Sequence, residues 1–329
     1  METYTDFINY INSNLDEIRS NLIIAGDSYD YNIYKKNFDK YFHYYRSNKD
    51  LKNKRILAVD SSIFSRQLYS GMVFIMARAY SFSNKFVEKT FSAGIYDLNP
   101  MELRNFEILL MEHLEHKCVI KSIENERYDY IFIDGSYKSR LNHFNIDLKI
   151  PGNESFMREY FSTMNEMISM AREKGIDLIY IAKSSVDNSF RNLLINGLSN
   201  DEKSRLRNAS DHLIIKSLAK EPGYTEPVIE SSGKYAIMDI LPEITDIPLK
   251  INVVSNRFLN NNASVYDIVD LIFYGYNGYR NYNIWLYYVD RMVKFRKKEV
   301  ENLYMRTFER LTGIPFYESR GDRRARIHV

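Results

Sequence analysis

The sequence predicts an α/β fold, a mixed sheet flanked by helices, with additional helices at the N- and C-terminal ends. Three observations carry this: short apolar runs that stop at small polar residues, three such runs in close succession, and amphipathic stretches of helical period between the later ones. The first fifty residues read as helical, because Phe7, Ile8, Ile11, Leu15, Ile18 and Leu22 recur at spacings of three and four and form one apolar stripe for packing. After "NKDLKNK" a strand is expected at 55–60, followed by apolar or alternating stretches near 70–80 and 84–96. The segments between them are too short for crossover helices, so the three read as an antiparallel meander. A helix from about Pro100 to Lys121 begins on a proline, an ordinary start signal.

Strand 129–134, a helix near 155–174 and the strand "IDLIYIAKSS" at 177–183 follow. The order strand, strand, strand, helix, strand, helix, strand implies a mixed sheet with helices packed on it. Beyond it, "KYAIMDI" and "PLKINVVS" read as strands, and a long helical stretch from Tyr282 to about Leu311 closes the fold. With no repeats and no low-complexity linker, one domain with insertions is expected. Residues 1–50 form a helical extension, 55–295 the core, and 296–329 a helix end and basic tail.

At 329 residues and 45 % hydrophobic content the chain can bury a substantial core. Its 45 Lys and Arg against 43 Asp and Glu give no global electrostatic argument for or against nucleic acid. Any binding face must be local. The best candidate is the terminal "RGDRRARIHV" after the basic run "RMVKFRKKEV", although a solvated, mobile end explains such a tail equally well. One cysteine, Cys118, excludes an internal disulfide and a Cys-rich zinc site. The start lacks the pattern of a signal peptide, and "GMVFIMARAY" is too short and interrupted to cross a bilayer core of ~30 Å. A cytoplasmic protein without a membrane partner is expected. The 27 tyrosines are scattered, which weakens any case for a dedicated base-stacking platform.

Two apolar runs end alike: "RILAVDSS" delivers Asp60 and "YDYIFIDGS" delivers Asp134. Strand ends hold side chains rigidly, and neighbouring strands one and four would bring the two carboxylates together. Mutual repulsion would raise one pKa unless a cation lay between them, and oxygen-only ligation suits Mg²⁺ or Mn²⁺. Turn or helix-cap chemistry explains either motif alone just as fully. On the helix between them, Leu103, Phe106, Leu110, Leu114 and Cys118 form an apolar face that includes Glu107. A carboxylate there is either paired, bound to a cation or reaching water along its stem. Glu112 and Glu115 fall outside that arc and read as solvated. His113 and His116 read as surface histidines, since no His-Glu-x-x-His arrangement accompanies them.

The ordered set "ILAVDSS", "LRNFEILLME", "YIFIDGS", "IYIAKSS" and "YNIWLYYVD" resembles the NurA family of archaeal and bacterial nucleases over roughly residues 50 to 295. The resemblance implies a ribonuclease H-like fold and a manganese-dependent DNA nuclease that works on ends, as a dimer, with a HerA-type hexameric ATPase. Carried over by motif, Asp60 and Asp134 take the two strand positions. Glu107, which follows "LRNF", takes the helix position, with Glu112 and Glu115 as alternatives on the same helix. Lys183 takes the place of a lysine near the site. Tyr282, Leu286, Val289 and Asp290 fall on the landmarks of a Tyr-Pro-x-x-Leu-x-x-Ala-His segment. The first motif has Asp60-Ser61-Ser62 where the family has Asp-Gly-Ser, and Asp290 stands where the family carries His, a change that favours Mg²⁺ over an imidazole-containing site.

On this reading Asp60, Glu107, Asp134 and Asp290 are metal ligands. Lys183 neutralises phosphate charge, and Tyr282 stacks on a base or positions a phosphate, unless it is simply core. A second reading is a catalytically weak or inactive dimeric adaptor or DNA-binding partner of the ATPase, favoured by Asp290 in place of His. A third is another ribonuclease H-like phosphotransferase such as a junction resolvase.

Overall fold

The computed structural model describes residues 2–22, 24, 28–46, 54–84, 87–183, 187–206, 208–230, 232–259 and 265–317. In chain order, α1 (Glu2–Ser13), α2 (Leu15–Leu22) and α3 (Tyr29–Tyr41) lead into β1 (Phe42–Tyr44), β2 (Ile56–Gln67), β3 (Val73–Phe82) and β4 (Val87–Tyr96). Then come α4 (Pro100–Asn125), β5 (Tyr130–Asp134), α5 (Tyr137–Asn142), α6 (Phe156–Glu173) and β6 (Asp177–Ala182). The chain continues through α7 (Ser189–Leu194), α8 (Asn200–Arg205), α9 (Asp211–Leu218), β7 (Gly223–Thr225), β8 (Val228–Ile229), β9 (Ala236–Leu241) and β10 (Leu249–Val254). It ends with α10 (Asn256–Leu259), α11 (Val265–Gly275), α12 (Ile284–Val293), α13 (Lys297–Glu299) and α14 (Arg306–Thr312). The expected mixed sheet flanked by helices is therefore present. No helix among the described residues is long and apolar enough to cross a membrane.

Two compact units are distinguishable: one of residues 53–134, 138–179 and 283–329, the other of 1–52, 135–137 and 180–282. In the first, the strand order is β4-β3-β2-β5, followed by the start of β6. The meander is antiparallel throughout, from Ala58↔Phe82 to Gln67↔Val73 and from Val73↔Tyr96 to Phe82↔Val87. β5 then joins β2 in parallel, from Ile56↔Tyr130 to Val59↔Ile133, giving the ribonuclease H-like arrangement.

Side chains alternate across this sheet. On one face, Ser81 and Ser122 of α4 bond through their hydroxyls at 2.6 Å. On the other, Phe132 stacks on Trp285 of α12 at 5.2 Å, and the Ser62 hydroxyl accepts from the Phe295 N–H at 3.2 Å. Leu57, Ala58, Val59, Ile131, Phe132 and Ile133 are fully buried, so both faces are covered where β2 meets β5.

Helix α4 starts on a capping box: Asn99 Oδ1 accepts from the Met101 and Glu102 N–H groups at 3.0 Å, and Glu102 Oε2 accepts from the Asn99 N–H at 3.2 Å. It packs on β2, β3 and β4 and also under α6, so it is buried on two sides. That overturns the one-face reading of this helix. Glu115, His113 and His116, expected at the surface, are 5 %, 3 % and 0 % exposed.

The helical stretch expected from Tyr282 to Leu311 is interrupted. Buried Arg78 donates to the carbonyls of Val293 at 2.7 Å and Lys294 at 2.9 Å, and to Glu299 at 2.8 Å. It thereby caps the end of α12, and the chain resumes as α13, a π-helical turn at Val300–Met305 and α14. The arginine substitutes for the carbonyls' helical partners.

In the second unit β1-β7-β9-β10 are antiparallel neighbours and β8 also pairs with β9. Tyr34, Phe38, Phe42, Phe190, Leu194 and Ile214 belong to its core. The N-terminal stripe does not pack as expected: Phe7 is 57 % and Ile8 37 % exposed, because two short helices offer too little surface to cover it. The basic run 320–329 lies outside the described residues.

One buried charge cluster holds this unit together. Lys250 Nζ lies 2.7 Å from both Asp211 and Asp239, with all three side chains almost fully buried. Asp211 also accepts from the N–H groups of Phe190 and Arg191, tying α7 to α9. Removing the cation would leave two buried carboxylates unpaired. Lys250→Ala is expected to cost about 3–5 kcal/mol of stability by urea unfolding, against at most about 0.5 kcal/mol for the exposed Lys297→Ala. Equal effects would contradict the assignment.

Candidate active site

The parallel register that ends at Val59↔Ile133 places the next residues, Asp60 and Asp134, side by side on adjacent strands. Asp134 is the last residue of β5, and Gly135 follows with φ of +94°, a left-handed conformation that suits glycine and turns the chain out of the strand. Asp60, by contrast, is not at a strand end. β2 stays paired with β3 as far as Gln67, so the polar Ser61 and Ser62 continue the strand instead of turning it. What stops at Asp60 is the partnership with β5.

Burial pushes the Asp60 carboxyl up to about 8, with the charges of Glu115, Asp134 and Asp290 adding to the rise and the Ser61 N–H, 2.8 Å away, opposing it. Four carboxylates thus share one local field within one unit. They reach it from two strands and two helices.

The α4 member is Glu115. Its Oε1 accepts from the Ser61 hydroxyl at 2.5 Å and its Oε2 from the Arg140 guanidinium at 2.5 Å. Burial nonetheless leaves its pKa raised, despite Arg140 and Ser61. Glu107 is half-buried, eight residues or about 12 Å of helix rise earlier, and is not among the groups acting on Asp60. Of the three candidate glutamates on this helix, Glu107, Glu112 and Glu115, the structure brings Glu115 to Asp60.

Behind Glu115 lies a compensated network. Glu112 is buried, yet Arg140, His143 and Tyr160 hold it below the usual carboxylate range. His143 Nε2 is 3.2 Å from Glu112, and the Tyr160 hydroxyl donates to the same carboxylate. His116 is pushed well below its usual value by burial and then by Arg140, and His113 down to about 4 by burial and Lys117. Sequence reasoning missed Arg140, Tyr160 and the burial of both histidines. The only signal was position, since Arg140 follows "DGSYKS" on α5.

Asp290 stands on α12, 37 % exposed and paired with Lys294 Nζ at 2.6 Å, while Leu286 and Val289 are buried core. Lys183 and Tyr282 belong to the other unit. The exposed Lys183 places its Nζ 4.2 Å from the centroid of the Tyr282 ring, and Tyr282 is only 5 % exposed. That ring seats the amine and offers no free stacking face.

Among the described residues no three His, Cys, Asp or Glu side chains already stand gathered as metal ligands. The chemistry of the donor set still fits a hard divalent cation: the donors are carboxylate oxygens, and the charge that raises Asp60 is what a cation would neutralise. The sign of the linkage follows. A carboxyl raised from 3.8 to about 8 on folding contributes stability that is fully present below about pH 4 and is lost as pH rises through about 8. In EDTA the melting temperature is expected to fall over that window, and Asp60→Asn to flatten the fall. A divalent cation at about 100 times its Kd should return about 2.7 kcal/mol at neutral pH. A wild type no more pH-sensitive than Asp60→Asn would sink this account.

Comparison with known proteins identifies the family. The NurA domain model matches residues 54–295. The DNA double-strand break repair nuclease NurA of Sulfolobus acidocaldarius is 30 % identical over 107 residues, an alignment that spans 30 % of this chain and 30 % of that protein. The crystal structure of the NurA nuclease from Sulfolobus solfataricus shares the fold with a TM-score of 0.63 at 17 % identity, over 95 % of this chain and 98 % of that one. A NurA crystal structure bound to dAMP and manganese superposes with a TM-score of 0.58 at 12 % identity, over 92 % and 95 % of the two chains. With the matched domain extending over well more than half of its residues, from the first strand of the meander to α12, the chain belongs to the NurA family.

Proposed function

We propose that the protein is a divalent-metal-dependent DNA nuclease that hydrolyses phosphodiester bonds. The observation that carries this is the register-paired Asp60 and Asp134, with the Asp60 carboxyl at about 8 under the charge of its neighbours. Glu112 is lowered by Arg140, His143 and Tyr160 despite burial, whereas Asp60 is raised by burial and by three carboxylates. Asp60, Asp134, Glu115 and Asp290 would hold one or two Mn²⁺ or Mg²⁺ ions, which when bound supply an activated water and stabilise the leaving oxygen of an in-line displacement. The manganese and dAMP held by a NurA relative support Mn²⁺ and a nucleotide substrate here. We assign the helix ligand to Glu115 in place of Glu107.

Around that centre the chain's own groups orient and neutralise. Ser61 holds one Glu115 oxygen and its N–H steadies Asp60. Carried over from the family motif alone, Lys183, which lies in the other unit and is seated on Tyr282, would serve as a point charge for a substrate phosphate. The family reading extends to exonuclease or endonuclease action in DNA end resection and repair, as a cytoplasmic homodimer feeding from a HerA-type hexameric ATPase. It also treats the whole chain as one nuclease domain.

A specific observation favours a second reading, a catalytically weak adaptor or DNA-binding partner of the ATPase: Asp290, at the family's histidine position, is already paired with Lys294. Cleavage of end-labelled single- and double-stranded DNA in Mn²⁺, Mg²⁺ or EDTA separates the two. The nuclease requires metal-dependent products that Asp60→Asn, Asp134→Asn and Glu115→Gln each reduce at least about 100-fold, more than the loss of a supporting residue. Glu107→Gln should cleave like wild type. Folded wild type that cuts nothing in either metal, with or without the ATPase, would leave the adaptor.

A further inference from the structure

We propose that Arg140 is the positioning residue that sets the helix carboxylate against the strand pair, an inference that rests on the metal-site reading above. Arg140 is 2 % exposed. Its Nη2 donates to Glu115 Oε2 at 2.5 Å and to the backbone carbonyl of Asp134 at 3.2 Å, so one planar group spans α4 and the end of β5. Its Nε lies 3.8 Å from Glu112, and its Nη1 bonds His116 Nε2 at 2.9 Å. A guanidinium has only donors, so His116 accepts at Nε2 and carries its proton on Nδ1. The imidazole thus adds no charge and acts as a stop that fixes the plane of the fork.

The consequence lies at Glu115. With Oε2 held by Arg140, the other oxygen, Oε1, is held by the Ser61 hydroxyl, one residue along β2 from Asp60. Glu115 is thereby presented as a one-edged carboxylate at a set distance from β5. A lysine cannot reproduce this, because one ammonium nitrogen cannot both bridge Glu115 and the Asp134 carbonyl, as Nη2 does, and stand against His116, as Nη1 does.

Charge and position predict opposite results. Removing a cation beside a cluster of carboxylates strengthens Mn²⁺ binding if the arginine acts only through its charge. Removing a positioning group weakens it. Mn²⁺ binding to the full chain is therefore measured by electron paramagnetic resonance for wild type, Arg140→Gln, Arg140→Lys, Glu115→Gln and the double variant Arg140→Gln/Glu115→Gln, with circular dichroism confirming the fold. We expect Arg140→Gln to raise the Mn²⁺ Kd by about tenfold or more, within the range for an outer-shell partner, and Arg140→Lys to fall between it and wild type. The double variant should bind no more weakly than Glu115→Gln, since both act through one carboxylate.

If Arg140→Gln does not fold, Arg140→Lys and its pairing with Glu115→Gln decide the matter by the same comparison. Equal or tighter Mn²⁺ binding in a folded arginine variant, independent losses that multiply, or no Mn²⁺ binding by wild type would each overturn the proposal. Binding is read apart from cleavage. A wild type that binds Mn²⁺ but cuts no DNA refutes the nuclease while the positioning role stands or falls on the affinities.

Discussion

The structure depends on one register. Because β2 and β5 run parallel and pair up to Val59↔Ile133, two aspartates from distant parts of the chain must stand beside each other at the next position. A slip of one residue would turn each side chain to the opposite face and dismantle the pair. The register is locked by the fully buried residues that precede the aspartates, Leu57 to Val59 on one strand and Ile131 to Ile133 on the other. Apolar packing thus enforces a polar conflict that it cannot itself relieve.

Compensation around that conflict is uneven, and the unevenness separates support from chemistry. Glu112 is lowered by Arg140, His143 and Tyr160 in spite of burial. Glu115 is held at both oxygens, yet remains raised. Asp60 has a single backbone N–H against three carboxylates. From the back of α4 toward the strands, counter-charge therefore declines step by step. A group left short of counter-charge in a covered place is where an added cation does most.

The buried ions of the other unit include their own cation. Lys250 is shared by Asp211 and Asp239, and Asp211 is further occupied by two backbone donors of α7. That cluster acts as a structural tie, although Asp239 Oδ1 has no hydrogen-bond partner among the described residues and burial pushes the Asp239 carboxyl up to about 7. A raised buried carboxyl therefore does not by itself mark a site; Asp239 stands against a buried lysine, whereas the groups acting on Asp60 are other carboxylates.

By itself the sequence determined the elements and their kind. Runs such as "YIFID" and "DLIYIA" lie within β5 and β6 and are apolar on both faces, the three-strand meander was forced by short connections, and the two aspartates were legible as ends of apolar runs. Motif order identified the family that the domain match then established. Only tertiary structure decided the rest. A helical wheel assumes one buried arc, but α4 is covered by the sheet and by α6, so Glu115 and His116 are buried outside the predicted arc, met by an arginine 25 residues away from Glu115. Periodicity likewise predicted one closing helix, where a buried arginine from β3 captures the carbonyls at Val293 and Lys294. Local pattern reports which residues avoid water. Which buried charge meets which partner depends on contacts between segments far apart in the chain, and no local window contains both.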